Sequence, residues 1–150
     1  MNREIKFRAW DKGTSTMKYS KPYYDGIGYC PEELKGEYCP AELIDNNGHQ
    51  SHISDVLMNS DLYIPMQYTG LKDRNGKEIY EGDIVRWSIW PEDSEETKVI
   101  DTVGFSNGCF RSNKRYQLLC LIEPHRGVEV IGNIHENPEL LNEISQENRI

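Results

Sequence analysis

The chain has 150 residues, of which 37% are hydrophobic and 28% charged, with a formal net charge of -8. With a mean hydropathy of -0.73, this describes a polar chain with a modest core, sized for one domain, and aromatics at 10% spread along it argue against long disorder. The longest plain apolar run, Leu118-Leu119-Cys120-Leu121-Ile122, is far short of the roughly 20 residues a bilayer demands, and charges at Lys6, Arg8, Asp11 and Lys12 are foreign to a signal peptide, so a cytoplasmic protein is expected.

In chain order, Ile5 to Trp10 alternates apolar and polar residues, with Ile5, Phe7 and Ala9 on one face of a half-buried strand. Asp11 to Ser15 supplies a turn and Thr16 to Tyr19 returns, which predicts a β-hairpin. Within residues 20–60, Tyr29-Cys30-Pro31-Glu32-Glu33-Leu34 recurs as Tyr38-Cys39-Pro40-Ala41-Glu42-Leu43. Each copy suits the start of a short helical turn, with Pro first and acids following; a duplicated loop insertion fits equally well. His52 to Ser60 reads as a helical turn or an edge strand.

Tyr63 to Tyr68 is strand-like, with Pro65 restricting it to an edge or a strand start. Asn75-Gly76 suits a tight type I′ turn. Ile84 to Trp90 follows, with Val85, Trp87 and Ile89 on one face, then an acidic loop over residues 91–96. Further strands are expected over Lys98–Phe105, Cys109–Ser112, Tyr116–Ile122 and Val128–Ile134, with Asn107-Gly108 turning one into the next. Tyr116–Ile122, apolar on both faces, reads as the central strand. Asn137 and Pro138 suit the start of a closing helix with Leu140, Leu141 and Ile144 in one stripe. The expected fold is mainly β: a small, curved, barrel-like antiparallel sheet with a short C-terminal helix.

Charge is unevenly spread. Residues 1–22 hold six Lys/Arg against Glu4 and Asp11, a net of +4, which leaves -12 on the rest. An acidic body repels polyanions, so general nucleic-acid affinity is disfavoured. The basic segment nevertheless interleaves cations and aromatics at Arg8, Trp10, Lys18, Tyr19, Lys21, Tyr23 and Tyr24, the residue types of a nucleic-acid or partner contact. The competing reading has this segment packing on its own chain.

Candidates for chemistry are thin. Cys30, Cys39, His49 and His52 place four possible zinc ligands within 23 residues, at spacings that match no standard zinc template. Buried thiols are common in cores, and no C-x-x-C pair is present. Glu81 with Asp83, and Asp93 with Glu95, would share a face if on a strand. Cys109 with His125 or His135 has the types of a nucleophile and base but no accompanying elbow. P-loop, dinucleotide and H-E-x-x-H patterns are absent. No catalytic residue and no cofactor is assigned, and a non-enzyme is expected.

Three stretches carry a resemblance. Arg3-Glu4-Ile5-Lys6-Phe7-Arg8-Ala9-Trp10-Asp11 is similar to the opening of YopX-like phage proteins. Met66-Gln67-Tyr68-Thr69-Gly70-Leu71-Lys72-Asp73-Arg74-Asn75-Gly76-Lys77-Glu78-Ile79-Tyr80-Glu81-Gly82-Asp83-Ile84-Val85 looks like that family's central signature. Val130-Ile131-Gly132-Asn133-Ile134-His135-Glu136-Asn137-Pro138-Glu139-Leu140-Leu141 resembles its ending. These anchors cover about a third of the chain; residues 20–60 match nothing in the family and read as an insertion in a single domain. The resemblance implies a β-rich protein encoded by bacteriophages or prophages, with no established activity and no catalytic residues to carry over. The signature's glycines and Asn75 suit turns, and Asp73 and Asp83 flank turns where a carboxylate can bind backbone N–H groups. The expected role is an accessory module that binds a host or phage protein or itself; the alternative is nucleic-acid binding through the N-terminal segment.

Overall fold

The computed structural model describes residues 5–20, 42–89, 97–114 and 127–142. Where composition suggests one domain, the chain divides into two compact units, Met1–Tyr68 and Thr69–Ile150.

In the first unit, β1 (Phe7–Asp11) and β2 (Thr16–Ser20) form the expected hairpin, with Arg8 opposite Tyr19 and Asp11 opposite Thr16. Asp11 closes its turn by accepting the amides of Gly13 at 2.9 Å and Thr14 at 3.1 Å, the Asx geometry that favours Asp at such corners. β3 (Glu42–Ile44) pairs with β2, β4 (Gln50–His52) pairs with β3, and β5 (Tyr63–Lys72) pairs with the other edge of β1.

β1 is thus an interior strand, which corrects the half-buried expectation. Ala9 is buried as its pattern predicts, but Arg8, Met17 and Met66 on the opposite face are buried too, and Ile5 is exposed. Pro65 sits inside the pairing, opposite Ala9. The amide of Tyr68 donates to the Lys6 carbonyl, so by alternation the even-numbered amides of β5 face β1 and the Pro65 nitrogen faces away. The missing N–H therefore costs the β1–β5 ladder nothing.

Of the two alternatives for residues 52–60 the helical turn forms, and the strand β4 lies before it, sharing only His52. β4 ends at His52, whose Nδ1 accepts the Ser54 amide and caps α1 (Ile53–Met58). Val56 and Ile53 of α1 pack on Ala9, Leu43 and Tyr63. Glu42 and Leu43, at the end of the second Tyr-Cys-Pro copy, belong to β3 rather than to a helical turn; the rest of the repeat lies outside the described residues.

β5 runs on into the second unit, where β6 (Glu78–Tyr80) pairs with it. The turn between them is not type I′. Gly76 has φ 82°, Asn75 is not left-handed, and Asp73 brackets the loop by bonding Lys77 O and Gly76 N through its backbone. This is a type I turn followed by a left-handed glycine. Asn107 and Gly108, at φ 51° and 78°, do make the expected two-residue turn with both positions left-handed. It joins β8 (Thr97–Ser106) to β9 (Cys109–Ser112).

β7 (Asp83–Ile89) lies between β8 and β10 (Glu129–Asn133), giving the order β10-β7-β8-β9. Val85 and Trp87 share the predicted face and are buried with Ile79, Val99, Val103, Val128 and Val130, with Ile89 packed against them. On the opposite face Ile84 and Ile100 are covered by Ile131, Ile134, Leu140 and Leu141. Leu140 and Leu141 of the predicted stripe are therefore in place, on a helical turn that begins at Leu140. Asn137 does not cap that turn with its side chain; its Oδ1 accepts the amide of Asn133, four residues earlier.

The fold is mainly β, in two antiparallel sheets, and corrects the barrel-like expectation: the sheets are not closed. Trp90, the acidic loop, the expected strand Tyr116–Ile122 and Ile144 lie outside the described residues.

Candidate functional site

The hairpin register separates the residues of the basic and aromatic segment. Arg8, Trp10 and Tyr19 stand on one face, whereas Lys18 lies opposite Ala9 on the other. Arg8 and Lys18 are each only 3% exposed, and Tyr19 is 39% exposed. Lys21, Tyr23 and Tyr24 lie outside the described residues. Two of the cations expected on a surface are therefore inside, and the described part of the segment is not one continuous contact strip.

Lys18 is the centre of a buried polar cluster. Its Nζ lies 3.1 Å from Asp11 Oδ2, donates to Ser51 Oγ at 2.7 Å, and sits 5.7 Å from the centre of the Tyr63 ring. Ser51 Oγ is also 3.2 Å from the Tyr63 hydroxyl. The cluster ties β1, β2, β4 and β5 together. Burial works to raise the Asp11 pKa, but the Lys18 amine and the amides of Thr14 and Gly13 outweigh it and hold the carboxyl below its ordinary value. A lysine beside a serine has the residue types of a base and a nucleophile, but here the amine is shared among Asp11, Ser51 and the Tyr63 ring. The arrangement is a clamp.

Asp45 organises the neighbouring turn. Its carboxylate accepts the amides of Asn47 and His49 and the Thr16 hydroxyl, and lies 3.1 Å from His49 Nδ1. Burial again pushes its pKa up, and those bonds, led by the His49 amide, bring it below the ordinary value. His49 is thus engaged with Asp45 and His52 with Ser54. Cys30 and Cys39 lie outside the described residues, and among those described no group of three or more His, Cys, Asp or Glu is placed to hold a metal ion.

In the second unit the signature acids bind backbone, as their turn positions suggest. Asp73 accepts the amides of Asn75 at 2.8 Å and Lys77 at 2.9 Å on Oδ1, and that of Val130 at 3.0 Å on Oδ2. Burial raises its pKa; the Val130, Lys77 and Asn75 amides prevail and lower it. Asp83, 1% exposed, accepts the Tyr80 amide. Glu81 precedes β7 in a turn, so it does not share a strand face with Asp83. Asp101, absent from the sequence-based candidates, is 1% exposed and accepts the amides of Thr102 and Lys114. Asn133 does the same for His135 and Glu136. Cys109 receives a hydrogen bond from Arg111 at 2.9 Å and donates to Ser106 O; His125 lies outside the described residues, as do Asp93 and Glu95.

The signal for the Lys18 cluster was present in the sequence. A four-residue turn after Asp11 places Thr16 opposite it, and so sets Lys18 diagonally across on the same face. Ser51 and Tyr63 carried no such signal, because their strands join by long connections.

No described helix is long and apolar enough to cross a membrane. The chain is similar to a solved structure, the crystal structure of protein EF1440 from Enterococcus faecalis, at 29% identity and a TM-score of 0.58, covering 91% of this chain and 97% of that one. No curated relative matches it. Residues 6–142 match the family described as YopX protein, from the first strand of one unit to the closing turn of the other. The chain belongs to the YopX family.

Proposed function

We propose that the protein is a non-enzymatic accessory module, encoded by a bacteriophage or prophage, that works in the bacterial cytoplasm by binding a host or phage protein or a second copy of itself. One observation carries this reading. The central signature uses its buried carboxylates, Asp73 and Asp83, to hold backbone amides. Asp73, which accepts three amides and is held below its ordinary pKa, suits a fold determinant and not an acid-base catalyst, and Asp83 accepts the Tyr80 amide. The inward placement of Arg8 and Lys18 further supports a protein partner over a phosphate backbone.

The test is affinity capture from infected and uninfected bacterial lysates, paired with sedimentation of the purified chain alone and with the captured component. A stoichiometric complex or a defined homo-oligomer is expected. Salt-sensitive binding of labelled DNA or RNA, weakened by Trp10→Ala and Tyr19→Ala in a chain that captures no protein, would replace it with the nucleic-acid reading.

A further inference from the structure

We propose that Asn107 is a site of spontaneous covalent modification, where the Gly108 nitrogen attacks the side-chain amide and converts the asparagine to aspartate and isoaspartate. The chain holds three Asn-Gly pairs, Asn47-Gly48, Asn75-Gly76 and Asn107-Gly108. A glycine after asparagine leaves the attacking nitrogen open to approach, because it carries no Cβ. All three pairs are exposed. Sequence and exposure therefore rank them equally, and the bonding of each turn separates them.

Two of the turns are built alike. Asp45 Oδ1 accepts the amides of Asn47 at 2.8 Å and His49 at 2.9 Å, and Asp73 Oδ1 accepts those of Asn75 at 2.8 Å and Lys77 at 2.9 Å. In both, the attacking amide is already occupied: Gly48 N donates to Asp45 O at 3.1 Å, and Gly76 N to Asp73 O at 3.0 Å. Asp45 and Asp73 are themselves buried. Freeing either glycine nitrogen means opening a turn anchored on a buried carboxylate, which makes the reactive state rare.

The third turn has no such anchor. Ser106 pairs directly with Cys109, so Asn107 and Gly108 form the tip, and neither of their amides makes a hydrogen bond among the described residues. Asn107 is also held left-handed, at φ 51°, a conformation unfavourable to a residue with a Cβ. Ring closure turns it out of that conformation. Opening this tip gives up a disfavoured backbone state and breaks no bond that either amide makes.

The chemistry needs only water as co-reactant. The Gly108 nitrogen bonds to Asn107 Cγ and loses its proton, the Cγ–Nδ2 bond breaks, and ammonia leaves a succinimide ring. Water then adds to one ring carbonyl. Cleavage at the side-chain carbonyl gives aspartate, and cleavage at the main-chain carbonyl gives isoaspartate. Either product adds a negative charge to a chain at -8. Isoaspartate also inserts a carbon into the two-residue turn that joins β8 to β9, across which the Cys109 thiol donates to Ser106 O.

The experiment ages the purified full chain in mildly alkaline buffer, folded and in urea, and maps its peptides by mass spectrometry. Each converted asparagine exchanges the mass of NH2 for OH, and chromatography separates the isoaspartyl form. In the folded chain Asn107 should convert at least about tenfold faster than Asn47 or Asn75, whose amides must first lose their bonds. In urea the three should convert at similar rates. Asn107→Gln, which would need a larger ring, should remove the acidic species that accumulates on isoelectric focusing and leave circular dichroism unchanged. No conversion at Asn107, fastest conversion at Asn47 or Asn75, equal rates in the folded chain, a lead at Asn107 undiminished in urea, or aspartate without isoaspartate would each overturn the proposal.

Discussion

Both units hold buried aspartates with nearby backbone amides, Asp45 in the first included, but Asp11 in the first also draws on side chains from other strands. In the first, Asp11 is met by the Lys18 ammonium from the next strand, with Ser51 and Tyr63 supplied by β4 and β5. In the second, Asp73, Asp83 and Asp101 are met by backbone amides, most of them within a few residues. A backbone amide is present whatever the sequence, so the second arrangement asks only for an acid at the right turn position. The first asks for a particular side chain on another strand, and is correspondingly easy to break by one substitution.

That contrast sets the order of the expected effects. Lys18→Met should be the most damaging, because it leaves the Asp11 charge buried without its cation; removing one partner of a buried pair costs about 4 kcal/mol. Urea denaturation would measure it, and a loss below about 1 kcal/mol would show that the Gly13 and Thr14 amides alone sustain Asp11. Asp73→Ala should cost slightly less, about 3 kcal/mol, since the Val130 amide loses its acceptor in the interior while those of Asn75 and Lys77 can turn to water.

The same carboxylates give a pH dependence of definite sign. Asp11 and Asp73 are both held below their ordinary pKa in the folded chain. Their contribution to stability is therefore complete above about pH 4 and is lost as the pH falls through the folded-state values. Urea midpoints between pH 6 and pH 2 should fall on the acid side of that range, and the fall should be shallower in Asp73→Ala.

Smaller effects sharpen the comparison at single backbone positions. A Cβ on Gly132 would stand 2.6 Å from Asn137 Oδ1, the atom that accepts the Asn133 amide. Gly132→Ala should displace Asn137 and cost about 2 kcal/mol, read as a lowered urea midpoint. Two of the Asn-Gly pairs should part company in the same assay. Asn107→Ala forces a left-handed alanine and should cost about 1 kcal/mol, whereas Asn75→Ala should stay within about 0.5 kcal/mol.

These pairs also show where a sequence stops speaking. Asn75-Gly76 and Asn107-Gly108 are the same dipeptide, yet only the second adopts two left-handed residues. The difference lies in Asp73, whose carboxylate and backbone bracket the first loop and whose other oxygen reaches Val130, 57 residues away. Pro65 teaches a related lesson. Its effect on pairing depended on which neighbour its nitrogen faced, and strand order decided that.

The sequence by itself determined the mainly β class, the first hairpin, the Val85, Trp87 and Ile89 face, the Leu140 and Leu141 stripe, and the structural use of Asp73 and Asp83. All of these follow from periodicity or from bonds between near neighbours, which a linear string records. Tertiary structure decided that β1 is interior, that Arg8 and Lys18 are buried, that the sheets stay open, and that Leu57, Met58 and Leu62 are left exposed. Each of those depends on which distant strand or helix lies alongside, and side-chain spacing along the chain carries no record of that choice.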